Sequence, residues 1–109
     1  MYDHSNIFAK ILRRELPAEI IFENNDLLAF KDKFPQAKTH ILLIPKKSFV
    51  SFEDFIDNST IEEVGAFFKI ANTLATEELK LTDFKILSNI GKLAGQEIPH
   101  FHLHILGYK

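Results

Sequence analysis

The spacing of apolar and polar side chains divides the chain into a short amphipathic helix, a hairpin, a buried strand, a longer helix and two further strands. Ile7, Phe8, Ile11 and Leu12 recur at helical spacing, with Lys10, Arg13 and Arg14 facing water. Ser5 or Asn6 is placed to cap this helix, and Pro17 limits it. Glu19 to Glu23 and Leu27 to Lys31 are apolar runs around Asn24-Asn25-Asp26, the composition of a tight turn, and predict a β-hairpin. The polar segment Asp32 to Thr39, with Pro35 inside it, reads as a loop. His40 then opens the continuous apolar run Ile41 to Ile44, closed by Pro45, which predicts a central strand covered on both faces.

Phe49 to Phe55 is aromatic and irregular, as expected of a helical turn folded over the core. Ser59 as N-cap with Glu62 three residues on predicts a capping box. The stripe of Val64, Phe67, Phe68, Ala71, Leu74 and Ala75 predicts a helix packed on the sheet. Leu81-Thr82-Asp83 connects it to a fourth strand, Phe84 to Ser88. In the link from Asn89 to Pro99, Gly91 and Gly95 permit positive φ and close approach of a ligand to backbone N–H groups. Its spacing is neither a Walker nor a dinucleotide fingerprint, so alone it is a weak phosphate signal.

The link delivers the chain to His100-Phe101-His102-Leu103-His104-Ile105-Leu106. In an extended strand, alternation puts the three imidazoles on one side while Phe101, Leu103 and Ile105 face the core. Three of the chain's five histidines fall in this stretch. A lone histidine on a strand is ordinarily a satisfied or solvated side chain; three in register point to metal ligation, proton transfer or nucleophilic attack. Metal ligation ranks second, because the chain has no cysteine and strand neighbours two apart are separated by about 6.6 Å, which spreads the three rings along a row.

Composition narrows the picture. A chain of 109 residues is long enough for one core and predicts a single domain over 1–109. A net charge of −2 gives no basic field for nucleic acid, and Lys46-Lys47 reads as a solvated strand end. No apolar run approaches a membrane span, the N-terminus lacks a secretory pattern, and without cysteines there are no disulfides; a cytoplasmic protein is expected.

At these residues the sequence resembles the histidine triad family, whose motif is His-x-His-x-His followed by two apolar residues. The likeness covers almost the whole chain and is greatest to the Hint-like branch, through Ile7-Phe8-Ala9-Lys10-Ile11, Leu16-Pro17-Ala18, Ile21-Phe22-Glu23, Phe34-Pro35-Gln36-Ala37, Thr39-His40, Ile44-Pro45-Lys46-Lys47 and Ala94-Gly95-Gln96. The resemblance implies an α+β domain with a five-stranded antiparallel sheet and two helices, the sheet continued across a homodimer. It implies a purine nucleotide substrate hydrolysed at its α-phosphorus, with no cofactor. Residue by residue, His102 matches the nucleophile, His100 and His104 its flanking partners, and His40 a supporting histidine. Asp32 matches the carboxylate that takes the ribose hydroxyls, and Phe8, Ile11 and Leu16 match positions lining the base pocket. Asn89, Gly95, Gln96 and Glu97 match the phosphate-side loop, although Glu97 stands where several relatives have serine and Lys33 where an apolar residue is common. Many relatives also hold a structural zinc ion with Cys-x-x-Cys, a histidine after Pro-Lys-Lys and the first triad histidine. The corresponding residues here are Asn6, Ala9 and Ser48, so no metal is expected.

Overall fold

The structure, a computed structural model, describes residues 1–108. Its five strands are β1 (Ile20–Glu23), β2 (Leu27–Lys31), β3 (Thr39–Pro45), β4 (Phe84–Leu87) and β5 (Leu103–Gly107). All neighbours pair antiparallel, in the order β1-β2-β3-β5-β4. The hairpin forms where the turn composition predicts it: Asn24 Oδ1 accepts from the N–H groups of Asp26 and Leu27 at 2.8 and 2.7 Å and closes an Asx turn.

Period-two alternation along the central strand divides the interior into two cores. Ile41 and Leu43 of β3 join Leu27, Ala29, Leu103 and Ile105 on one face. That face is covered by helices α2 (Phe52–Asp57) and α3 (Ile61–Thr73), with Phe67, Ala71, Leu74 and Ala75 buried. Phe101 fills its centre, stacked on Phe55 with ring centroids 4.9 Å apart and flanked by Phe67 at 5.3 Å. On the opposite face Leu28, Phe30, Leu42 and Ile44 form a smaller core with Phe8 and Ile11 of helix α1 (Ile7–Leu12). Asn6 caps α1 by accepting from the Ala9 N–H at 2.9 Å. No helix among the described residues is long and apolar enough to cross a membrane.

Three local expectations need correction. The capping box of α3 lies one residue later than predicted: Thr60 Oγ1 accepts from the Glu63 N–H and Glu63 Oε1 accepts from the Thr60 N–H, at 3.1 and 2.8 Å. Ser59/Glu62 and Thr60/Glu63 both satisfy the pattern, and Glu63 is also held by Lys47 at 3.0 Å. The aromatic stretch supplies a regular six-residue helix, α2, in addition to the two helices expected. Finally, the histidine strand begins at Leu103 rather than His100. Pro99 has no N–H to donate, the His100 N–H turns back to the Ile98 carbonyl at 2.9 Å, and the Phe101 N–H bonds the Phe49 carbonyl at 2.8 Å, so the ladder starts only beyond them.

Candidate functional site

The site lies on the sheet face that carries α1. Leu42 pairs with His104 and His40 with Leu106 across β3 and β5, so His40 and His104 are diagonal neighbours on one face. His102 precedes His104 by two residues and shares that face, its ring centroid 5.0 Å from that of His104. His40 Nε2 lies 2.9 Å from His104 Nδ1, with the two ring centroids 5.1 Å apart. His100 departs from the row. Its ring is wholly buried, between the Pro45 carbonyl at 2.8 Å from Nε2 and the Tyr2 hydroxyl at 2.5 Å from Nδ1.

Backbone partners assign every proton in this cluster. The Gln36 N–H points at His40 Nδ1 at 3.1 Å, so that nitrogen is an acceptor and Nε2 carries the proton. His40 therefore donates to His104 Nδ1, which leaves an N–H on His104 Nε2. His102 Nδ1 lies 2.6 Å from the His100 carbonyl, which only accepts; His102 thus donates there and keeps its lone pair on Nε2. By the same reasoning His100 Nε2 donates to Pro45 and its Nδ1 accepts from Tyr2. The Ser88 hydroxyl donates to the His102 carbonyl at 2.8 Å and fixes that residue's backbone.

Burial keeps all four rings neutral. Desolvation pushes His100 down to about 4, against the opposing Pro45 hydrogen bond. His104 is also pushed down to about 4, by burial and then by the neighbouring His102 and His40. His102 and His40 are lowered as well, chiefly by burial, with Asp32 acting in the opposite sense. The arrangement presents one free imidazole lone pair, on His102, beside one free imidazole N–H, on His104.

The other predicted residues divide into those brought to this cluster and those committed elsewhere. Asp32 approaches His40, with Oδ2 3.4 Å from Nε2, while its Oδ1 accepts from the Phe34 N–H at 2.8 Å. Phe8 stands edge-on to His102 with centroids 4.9 Å apart, and Ile11 is buried in the same small core. Leu16 is exposed and outside that core. The Asn89 amide lies beside Gly95, where an added Cβ would meet Nδ2 at 3.6 Å; Gly95 itself has φ +96, which a side chain would strain. Gln96 does not face outward: it accepts from the Gly91 N–H at 2.9 Å and donates to the Val50 and Ile98 carbonyls at 2.8 and 3.1 Å, so it staples the loop. Glu97 is exposed on the loop surface. Tyr2, Gln36 and Ser88 were not identified from sequence, because each acts through one hydrogen bond that only the fold creates.

Neither grouping of possible metal ligands fits a metal centre. Asn6 uses both polar atoms of its side chain on the Ala9 N–H and the Asp3 carbonyl, Ala9 offers no donor, and His100 Nδ1 is taken by Tyr2. Asp32, His40 and His104 place ligand atoms within 4.8 Å of one another. Yet the Gln36 N–H obliges His40 Nε2 to hold a proton, so binding an ion there would require breaking that bond or forming an imidazolate.

The fold and site thus define an antiparallel α+β protein with a histidine cluster on one sheet face. The HIT domain family model matches residues 13–109, and the chain belongs to that family. It is 44% identical over 110 residues to an uncharacterized HIT-like protein of Rickettsia prowazekii, covering 100% of this chain and 92% of that one. It is 35% identical over 102 residues to a purine nucleoside phosphoramidase of Escherichia coli, covering 93% and 85%. Among solved structures it is similar to a histidine triad protein from Clostridium difficile, with TM-score 0.87, 35% identity and coverage of 100% and 95%. A HIT family hydrolase from Legionella pneumophila gives TM-score 0.84 and 38% identity over 94% of this chain and 92% of that one.

Proposed function

We propose that the protein hydrolyses purine nucleoside phosphoramidates or related nucleotidyl conjugates at the α-phosphorus through a nucleotidyl-His102 intermediate. The observation that carries this is the pairing of a His102 Nε2 lone pair with a His104 Nε2–H, both fixed by backbone acceptors and donors. In the first step Nε2 of His102 attacks phosphorus, a P–N(His) bond forms and the bond to the leaving amine breaks. In the second, water attacks phosphorus, the P–N(His) bond breaks, and the nucleoside monophosphate and the free imidazole are released. His104 Nε2–H and the Asn89 side-chain amide beside Gly95 stabilise charge on the phosphate oxygens, since the N–H groups of Gly91 and Gly95 are taken by Gln96 Oε1 and the Lys92 carbonyl. The departing amine takes its proton from water, because the His40 N–H held against His104 Nδ1 opposes an imidazolium donor at His104.

The E. coli relative named as a phosphoramidase and the Legionella relative named as a hydrolase support this reading. Dinucleoside polyphosphate hydrolysis, as in the Fhit-like branch, and nucleotide binding without turnover are the alternatives. Incubation with adenosine phosphoramidate and, separately, with diadenosine polyphosphate separates them. Turnover of the first is expected; turnover of only the second, or of neither, would sink the proposal.

Asp32 is assigned to the ribose hydroxyls through Oδ2, since a carboxylate oxygen accepts from a diol. Asp32→Ala is expected to raise the Kd for AMP by about tenfold, the loss of a charge-assisted hydrogen bond. An unchanged affinity by calorimetry would remove that assignment. Because no grouping of side chains fits a metal, dialysis against EDTA is expected to leave turnover and the thermal midpoint unchanged. Loss of activity restored by zinc would contradict this.

A homodimer is also proposed. β4 leaves a free edge on which Ile86 and Leu87 are exposed, and a second copy would continue the sheet there. Val64, Phe68 and Ile70 of α3 are half-buried against this chain's own core, and their remaining surface is proposed to contribute to the contact. Sedimentation at micromolar concentration as a monomer would count against the dimer.

A further inference from the structure

The buried His100 presents a problem of hydrogen bonding that the rest of the site depends on. Its Nε2–H is fixed on the Pro45 carbonyl, so Nδ1 is a lone pair enclosed away from water. A buried acceptor needs a donor, and the ring cannot escape by taking a second proton at neutral pH, because burial pushes it down to about 4. In relatives with the zinc site, a metal takes up this histidine. Here Asn6, Ala9 and Ser48 cannot assemble one, and the group that reaches Nδ1 is the Tyr2 hydroxyl, at 2.5 Å.

The direction of that bond is determined. With Pro45 accepting at Nε2, the Tyr2 O–H donates and Nδ1 accepts. Tyr2 is held there by more than its own hydrogen bond. Its ring stands edge-on to His100 with centroids 5.6 Å apart and packs on His4 at 4.8 Å. The segment around it is tied to α1: the Asn6 side chain donates to the Asp3 carbonyl at 2.8 Å, and Arg13 Nη1 donates to the His4 carbonyl at 2.8 Å. On the far side, the His100 carbonyl accepts from His102 Nδ1–H at 2.6 Å, the bond that leaves Nε2 of His102 free. Phe8 stands edge-on to both rings, with centroids 6.4 Å from His100 and 4.9 Å from His102.

We propose that Tyr2 is a positioning residue that takes the place of a metal at His100: its hydroxyl locks the His100 ring and so steadies the His100 backbone, whose carbonyl aims His102. The catalytic half of this rests on the reading that His102 attacks phosphorus; the locking of the His100 ring does not. Every side-chain nitrogen and oxygen buried among the described residues has a hydrogen-bond partner, and Tyr2 is the partner that His100 Nδ1 depends on.

The test is Tyr2→Phe, which keeps the edge-on ring and deletes only the hydroxyl, examined in protein carrying 15N-labelled histidine. Long-range proton–nitrogen correlation spectra of the wild type are expected to show His100 as the Nε2–H tautomer and His102 as the Nδ1–H tautomer. In Tyr2→Phe both tautomers are expected to persist, because the Pro45 and His100 carbonyls still accept, while the His100 Nδ1 resonance is expected to shift to that of a lone pair without a donor. The kcat for adenosine phosphoramidate is expected to fall by roughly tenfold, the usual effect of losing an orienting partner, with KM changed by no more than about twofold. Tyr2→Ala, which also opens the cover over His100, is expected to fall further. An unchanged His100 Nδ1 resonance, or a wild-type kcat, in Tyr2→Phe would overturn the proposal. So would a kcat loss accompanied by a more than twofold rise in KM, which marks a merely structural role. Should Tyr2→Phe fail to fold, the wild-type spectrum still decides, because an Nδ1–H tautomer at His100 would make Tyr2 an acceptor and refute the assignment. Absence of turnover by the wild type would defeat the functional reading alone and leave the His100 Nδ1 comparison standing.

Discussion

His102→Ala is expected to lower turnover of adenosine phosphoramidate by about three orders of magnitude or more, while AMP affinity stays within about tenfold of wild type. The asymmetry follows from where the side chain acts. Among the described residues Nε2 of His102 has no hydrogen-bond partner, since Nδ1 alone is engaged, with the His100 carbonyl at 2.6 Å. The ring therefore contributes chiefly to bond formation in the transition state rather than to ground-state binding. On the proposed assignment, Asp32 and the loop near Gly95 would still hold a nucleotide when the ring is gone. Rapid-quench trapping of a nucleotidyl-protein in the wild type, absent in the variant, would establish the covalent step. A variant that turned over substrate near the wild-type rate would rule it out.

Acid is expected to destabilise the fold in a window set by the buried histidines. The folded pKa of His100 is pushed down to about 4 from an ordinary 6.5, so between those values the unfolded chain binds a proton that the folded chain refuses. Stability is therefore full above 6.5 and falls as pH drops toward 4. His100, with no exposed surface, accounts for about 3 kcal/mol of that loss at the lower end. His104, His102 and His40 shift in the same direction and add to the slope. The ion-paired and hydrogen-bonded carboxylates Glu15, Glu23, Glu63 and Asp3 have lowered pKa values and act only at the acid end of this window and below it. Urea midpoints measured from pH 7.5 to pH 4.5 are expected to decline throughout. A flat profile from 6.5 to 4.5 would mean the triad region takes up protons without unfolding, contrary to its burial.

The candidate site was partly visible in the chain's own pattern. Alternation from Phe101 to Ile105 correctly put Phe101, Leu103 and Ile105 in the large core and His102 and His104 on the other face, because side-chain direction in extended backbone has a period of two whatever surrounds it. His100 lies beside Phe8 as His102 does, yet it precedes the ladder: β5 starts only at Leu103, because the Phe101 N–H bonds the Phe49 carbonyl in the loop after Pro45. Gln96, expected beside the phosphate, proved to be a loop staple, since a glutamine's partners are unspecified until the chain folds back to Val50.

The sequence by itself determined which segments are helix and strand, which faces they bury, and that imidazoles share a surface: these follow from local periodicity, turn chemistry and capping. It also determined that Asn6, Ala9 and Ser48, none of them a good zinc ligand, stand where the resemblance implies such ligands. The tertiary structure alone decided which nitrogen of each imidazole carries a proton. That depends on Gln36, Pro45, the His100 carbonyl and Tyr2, and the partner of His100 Nδ1 lies 98 residues away along the chain. Tautomers are set by contacts at distances of a hydrogen bond, and no pattern of residue types encodes such a contact until antiparallel pairing and α1 bring the groups together.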